Sequence, residues 1–270
     1  MFKTFYYSLL VLVLVVSSGN SEARQDILKK LYEKDKKAST SKQPGFELDG
    51  EFGFLIASGN TNTSTLKTAL NSEHETKKWS NRYFAEFLYK QNQASNNDAD
   101  KIVSAQRFLT YGQFDYKLRN PKNRLFVYAE YDDDRFNGFR FQAALAGGYS
   151  SMAWQHDDSQ LRYSIGPGYS YAEKRREDGM AGYQSLKEMI IRASVDYRLT
   201  INEHAKFRQF FSTEAGEQNR RSRSETSLSA NVIESLGMKL SFVMIYNNTL
   251  DNRDTNLSTE TSISLVYQFF

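Results

Sequence analysis

From Phe46 onward the chain keeps a two-residue period almost to its last position. In the terminal stretch Ile263, Leu265, Tyr267 and Phe269 point one way, and Ser262, Ser264 and Gln268 the other, with Val266 the exception. Successive side chains of an extended backbone leave opposite faces, so this pattern makes half-buried strands and not helices. Residues 25–37 read differently. Ile27, Leu28, Leu31 and Tyr32 share one helical face among charged neighbours, a short amphipathic helix.

A mean hydropathy of -0.62 excludes a bundle of transmembrane helices, each of which needs about 20 mostly apolar residues. A transmembrane barrel escapes that limit, because only every second residue faces lipid. The 17 Tyr and 19 Phe are enough for aromatic girdles at two membrane interfaces. With no cysteine, the chain has no disulfide framework, no thiol nucleophile and no lipid-anchored Cys. The net charge of +3 is concentrated in residues 24–45, which leaves no basic face for nucleic acid.

The expected organisation has three parts. Residues 1–23 read as a signal peptide: Lys3, an apolar run from Leu9 to Val16, and Ser21-Glu22-Ala23 before Arg24. Residues 24–45 form a periplasmic helical leader and linker. Residues 46–270 form an all-β, transmembrane, antiparallel up-and-down barrel of about 12 strands. Segments of about 10 to 12 residues, tilted near 40°, span roughly 27 Å, close to the apolar band of such a barrel. An even count returns both barrel ends to the periplasm. Loops near 57–62, 91–103, 132–138, 173–185, 216–224 and 247–256 are then outermost.

The residues opposite the apolar set should line the lumen: Glu47, Asp49, Glu51, Lys67, Arg82, Glu86, Arg162, Glu188, Arg192, Asp196 and Arg208. Glu130, Arg140, Glu214 and Glu260 belong to the same inward set. Charges removed from water must pair or stay wet, so basic side chains are expected close to the Glu47, Asp49, Glu51 run. The lumen is either plugged by salt bridges or narrow and wet. The fourth strand offers Phe108, Phe114 and Tyr116 outward, with Leu109 and Tyr111 on the other side.

Other clusters are weaker. Asp132, Asp133 and Asp134, with Asn137, read first as a solvated outer loop and second as oxygen ligands for a divalent cation. Arg175-Arg176 and Arg220-Arg221 read as loop pairs facing lipopolysaccharide phosphates. The three histidines, His74, His156 and His204, fall at periplasmic turns, which disfavours a Ser/His lipid-modifying enzyme. No His or Cys spacing suits a metal, so no cofactor or metal is expected. Pro167 lacks a ladder N–H, and a bulge is expected there.

Several motifs, taken in order, resemble one family. They are Ser58-Gly59-Asn60-Thr61-Asn62-Thr63, Tyr131-Asp132 with Arg135-Phe136, Gly166-Pro167-Gly168-Tyr169, Asp254-Thr255, and the Leu265-x-Tyr267-x-Phe269 ending. The YdiY-like family, labelled salt-induced outer membrane proteins, is similar over about Phe46 to Phe270. The resemblance implies a barrel of unknown function with no catalytic residues to carry over. Tyr267, Phe269 and Phe270 read as the signal recognised by the barrel assembly machinery. The remaining expected partners are outer-membrane lipids and lipopolysaccharide, with the barrel itself a monomer. A narrow, weakly selective pore or structural envelope component is the first functional reading. An envelope binding protein using its outer loops is the second, and a lipid-modifying enzyme the last.

Overall fold

The computed structural model describes residues 45–57, 61–94, 102–134, 139–176, 182–233, 235–248 and 256–269. The signal peptide, the helical leader, Arg135, Asn137 and Phe270 lie outside the described residues. The chain forms β1 (Gly45–Ala57), β2 (Thr61–Glu75), β3 (Trp79–Ala94), β4 (Ile102–Lys117), β5 (Asn123–Asp134) and β6 (Phe139–Gln155). It continues as β7 (Ser159–Arg175), β8 (Tyr183–Asn202), β9 (Ala205–Ala215), β10 (Arg220–Ile233), β11 (Leu236–Asn247) and β12 (Leu257–Gln268). Each strand pairs antiparallel with its sequence neighbours, and β1 pairs with β12, so the sheet closes into a barrel with no free edge.

The wall turns inside out relative to a water-soluble barrel. Phe52, Phe54, Leu145, Ile191, Met189 and Ile263 stay 53%, 59%, 57%, 59%, 69% and 64% exposed on the outer face. A continuous apolar belt of this kind is stable against lipid and not against water. Aromatic contacts rim it at both ends. Trp79–Tyr116 and Trp154–Tyr197, with centroids 5.1 and 6.2 Å apart, lie near one rim. Tyr131–Phe141 and Phe141–Tyr171, at 5.6 and 5.4 Å, lie near the other.

The two ends differ in their connections. At one, the turns are tight and closed by local polar groups. Asn202 Oδ1 accepts the amides of His204 and Ala205, both at 2.9 Å, and Thr76 Oγ1 accepts the Trp79 amide at 2.9 Å. This is the turn end, where Gly45 and Gln268 also lie. The opposite, loop end carries the connections β1–β2, β3–β4, β5–β6, β7–β8, β9–β10 and β11–β12.

Several strands outrun the expected length. β6 and β7 have 17 residues and β8 has 20. At the loop end of β7 the ladder bonds continue through Glu173, Lys174 and Arg175, so there the apolar alternation ends before the strand does. Register shifts occur at Phe139/Phe141 and Met152/Trp154. At Pro167 the expected bulge is absent. The β6–β7 ladder passes from Ala146↔Gly168 to Tyr149↔Ile165 in unchanged register and leaves out only the intervening pairs. A Cβ on Gly148 would strike the Ile165 backbone, and one on Gly166 the Gly147 carbonyl, so glycine lets the two strands close past the proline.

Closure is the thinnest part of the wall. The β1–β12 ladder runs only from Asp49↔Gln268 to Phe52↔Leu265, whereas β1 and β2 pair from Gly45 to Ala57. Further contacts hold the seam, Lys67 donating across it to Ser262 at 3.3 Å among them. The Phe269 amide donates to the Leu48 carbonyl at 2.9 Å. Lys67 on β2 reaches over β1 to Glu260 at 2.6 Å, and Lys239 on β11 reaches over β12 to Glu51 at 2.8 Å.

Candidate functional site: the ion-paired lumen

Alternation turns the polar half of every strand inward, and the structure ties those side chains into two tiers. In the loop-end tier, Arg221 on β10 forms ion pairs with both Glu130 and Asp132 on β5. Asp132 is also gripped by Arg107 of β4, in a two-point arrangement at 3.0 and 3.2 Å. Arg107 lies 3.9 Å from Glu86 on β3, and Glu86 lies 3.3 Å from Lys67 on β2, which continues to Glu260 on β12. The chain of charges therefore follows the inner wall from β12 to β5 and then crosses the lumen to β10.

Beside it, Arg192 donates to Glu214 at 2.6 Å and stacks over the Tyr128 ring at 3.6 Å. The Tyr128 hydroxyl donates to Glu130, so the stack joins the same network. Glu188 has another role. Its carboxylate accepts the backbone amides of Gln218 and Asn219 at 2.7 and 3.1 Å. Glu188 faces the interior, so the β9–β10 turn leans over the lumen mouth; a Cβ on Gly216 would collide with that carboxylate. Under the turn is a cleft of about 330 Å³, counting space open to solvent, bordered by Gln142, Ser170, Glu214 and Arg221.

The turn-end tier centres on one acid. Asp196 of β8 meets Arg208 at 2.9 Å, Arg82 of β3 at 3.1 Å and Arg198 at 3.2 Å. Arg198 continues to Glu73 of β2 at 3.0 Å. In the closed order β2 and β8 are diametrically opposed, so this pair spans the barrel. Arg162 lies 4.0 Å from the fully buried Asp115, to which Gln113 also donates at 3.1 Å.

The β1 acids spread along the wall. Glu51 is buried and accepts from Lys239 of β11 and, at 2.9 Å, from Asn71. Asp49 is half-buried and Glu47 exposed toward the turn end. Lys67, Arg82, Glu86, Arg162, Glu188, Arg192, Asp196 and Arg208 occupy the inward positions described above, as do Glu130, Glu214 and Glu260.

Three expectations are corrected. Arg140 is not in the lumen. The bulge at Phe139/Phe141 flips the parity, burying Phe139 at 3% and leaving the Arg140 side chain 62% exposed against Glu173. Asp132 is not an exposed loop carboxylate open to a cation, since two arginines hold it inside the barrel. Among the described residues no group of acids and histidines could hold a metal ion. Arg221 is not a loop cation, because β10 begins at Arg220 and turns Arg221 inward. Leu109 is buried at 1%, and Tyr111 stacks on Phe84 at 5.0 Å, so a small apolar cluster shares the lumen with the charges.

His74, His156 and His204 sit at turn-end positions, His74 with its ring 6.1 Å from that of Phe46. Tyr267 and Phe269 point outward, 50% exposed each, with rings 5.0 Å apart. The Phe269 ring lies over Gly50, where a Cβ would come within 2.9 Å of it.

Residues 50–269 match the family described as Protein of unknown function, DUF481. The chain belongs to this family. It is similar to the uncharacterized protein YdiY of Escherichia coli (strain K12), with 26% identity over 233 residues covering 85% of each chain. Among solved structures, this DUF481 member is similar to the NanC porin, with a TM-score of 0.48 and 11% identity over 83% of this chain and 100% of that one. It is also similar to an outer membrane channel of Pseudomonas putida F1, with a TM-score of 0.47 and 6% identity over 84% and 96%.

Proposed function

We propose that this chain is an integral outer-membrane barrel that acts as a structural envelope component with a constricted, weakly selective path for small ions. The observation that carries the reading is the pairing of charges between opposite walls: Arg221 with Glu130 and Asp132, and Arg198 with Glu73. Twelve strands stand between barrels filled by side chains and barrels that enclose a channel, so bridges at two levels leave little free diameter. A mixed set of acids and arginines favours neither cations nor anions strongly. Arg82 Nε and Arg124 Nη1 are buried with no acceptor among the described residues, which supports water sharing the path.

The location belongs to the same proposal. The outer apolar belt and aromatic rims support insertion in a bilayer. Residues 1–23 would be cleaved on export, and the assembly machinery would read Tyr267, Phe269 and Phe270 at the end of β12. The barrel works as a monomer among outer-membrane lipids, without nucleic acid and without catalysis. Induction by salt, implied by the family resemblance, would appear as a rise in protein level at raised osmolality on immunoblots.

Planar-bilayer recording of the purified mature chain tests the reading. Conductance far below that of an open pore, with no passage of large solutes, is the expected result. A steady, wide conductance in the unmodified protein would overturn it.

A further inference from the structure

The bulge that turns Arg140 outward leaves a cationic patch on the lipid-facing side of the wall. Lys187 of β8 pairs across the ladder with Tyr171 of β7, and its Nζ lies 5.4 Å from the Tyr171 ring centroid. Arg140 sits over the Tyr183 ring at 5.9 Å and pairs with Glu173 at 3.0 Å. Arg175 opposes Tyr183 in the ladder and is exposed. Glu173, which also accepts the Tyr171 hydroxyl at 3.2 Å, is the acid within the patch, and Asp133 of β5 faces outward at its edge, level with Phe141. Among the described residues, three cations against these two acids leave the patch positive.

Its height on the wall decides what it can meet. Met189 and Ile191, directly toward the turn end on β8, are 69% and 59% exposed and belong to the apolar belt. Phe141 and Tyr171 form the loop-end aromatic rim. Lys187 stands level with that rim, Arg140 just above it, and Arg175 four residues beyond Tyr171, about 10 Å higher along a tilted strand. That layer is where headgroup phosphates lie when the acyl chains cover the belt. Aromatic faces beneath Arg140 and Lys187 hold the cations in place while leaving their polar ends free to donate. Among the described residues, the matching rim of β11 and β12 carries Tyr246, Asn248 and Leu257 and no cation.

We propose that the outer face of β6, β7 and β8 at the loop end is a binding site for a phosphorylated lipid of the outer leaflet, recognised by Arg140, Arg175 and Lys187. The site rests on the outer-membrane reading above but not on the state of the lumen. The acyl chains lie along the belt below the patch, and the phosphates meet the three cations at the rim.

Native mass spectrometry of the mature barrel in detergent tests it, with bisphosphorylated lipid A, fully dephosphorylated lipid A and inorganic phosphate as probes. The unmodified protein should retain the bisphosphorylated lipid and release the dephosphorylated one. A variant combining Arg140→Ala, Arg175→Ala and Lys187→Ala should lose retention roughly tenfold or more, whereas Arg220→Ala on β10, outside the patch, should not. Equal retention of both lipids, or undiminished retention by the triple variant, overturns the site. Binding of inorganic phosphate at the same concentrations as the lipid overturns the lipid as its ligand. Membrane fractionation separates the two readings: a barrel in the outer membrane that retains no lipid refutes the site alone, and a barrel absent from that membrane refutes the location.

Discussion

The two tiers that cross the lumen are built in opposite senses. At the loop end one arginine, Arg221, reaches across to two acids, Glu130 and Asp132, and Asp132 keeps a second partner in Arg107. At the turn end one acid, Asp196, gathers three arginines, and among the described residues only Arg198 has another acid, Glu73, within ion-pair reach. The difference teaches where the barrel is fragile. A buried charge left without its partner costs more than the pair contributes, so the shared member of each tier matters most. At the loop end that member is a cation, and at the turn end an anion.

Substitutions can break this contrast in order of size. Asp196→Ala strands Arg82 and Arg208 and leaves Arg198 with Glu73 alone, and should destabilise the folded barrel by about 3–5 kcal/mol, read as a lower urea midpoint in detergent. An unchanged midpoint would mean the arginines are satisfied elsewhere. Arg221→Ala strands Glu130 but leaves Asp132 with Arg107, so a loss of about 3 kcal/mol is expected, with larger conductance in planar bilayers. Arg82→Ala removes one of three partners of Asp196 and should cost only about 1 kcal/mol. Equality with Asp196→Ala would erase the distinction between shared and peripheral members. Arg140→Ala should cost less than about 1 kcal/mol and leave conductance unaltered, because its pair with Glu173 is on the outer face. A marked change in conductance would return Arg140 to the lumen.

These outcomes also measure how far the chain could be read without its fold. The period of two carried the strand count and the outward set, because lipid demands apolar residues at every second position; Ile263, Leu265 and Tyr267 are an example. It failed where the demand stops. Beyond the belt both faces of β10 are polar, so Arg221 resembles a loop residue although it alternates in phase with Arg223 and Glu225. That phase was the available signal. Arg140 was lost to a bulge that inverts parity between Phe139 and Phe141, which alternation counted along one strand does not register. The bulge was instead expected at Pro167, where neighbouring glycines make it unnecessary. Which acid meets which arginine depends on strands far apart in sequence, as with Arg198 and Glu73, 125 residues apart. Closure of the sheet decides such pairings, and no local pattern encodes them.

The central claim, that side chains from opposite walls join across the lumen, is tested most directly by a double-mutant cycle on Arg221 and Glu130, with unfolding free energies measured in detergent. The two strands lie on far sides of the closed sheet, so no neighbouring ladder can transmit the effect. The paired structure predicts a coupling of about 1.5–3 kcal/mol between Arg221→Ala and Glu130→Ala. Additivity within about 0.3–0.5 kcal/mol would contradict a lumen closed by ion pairs.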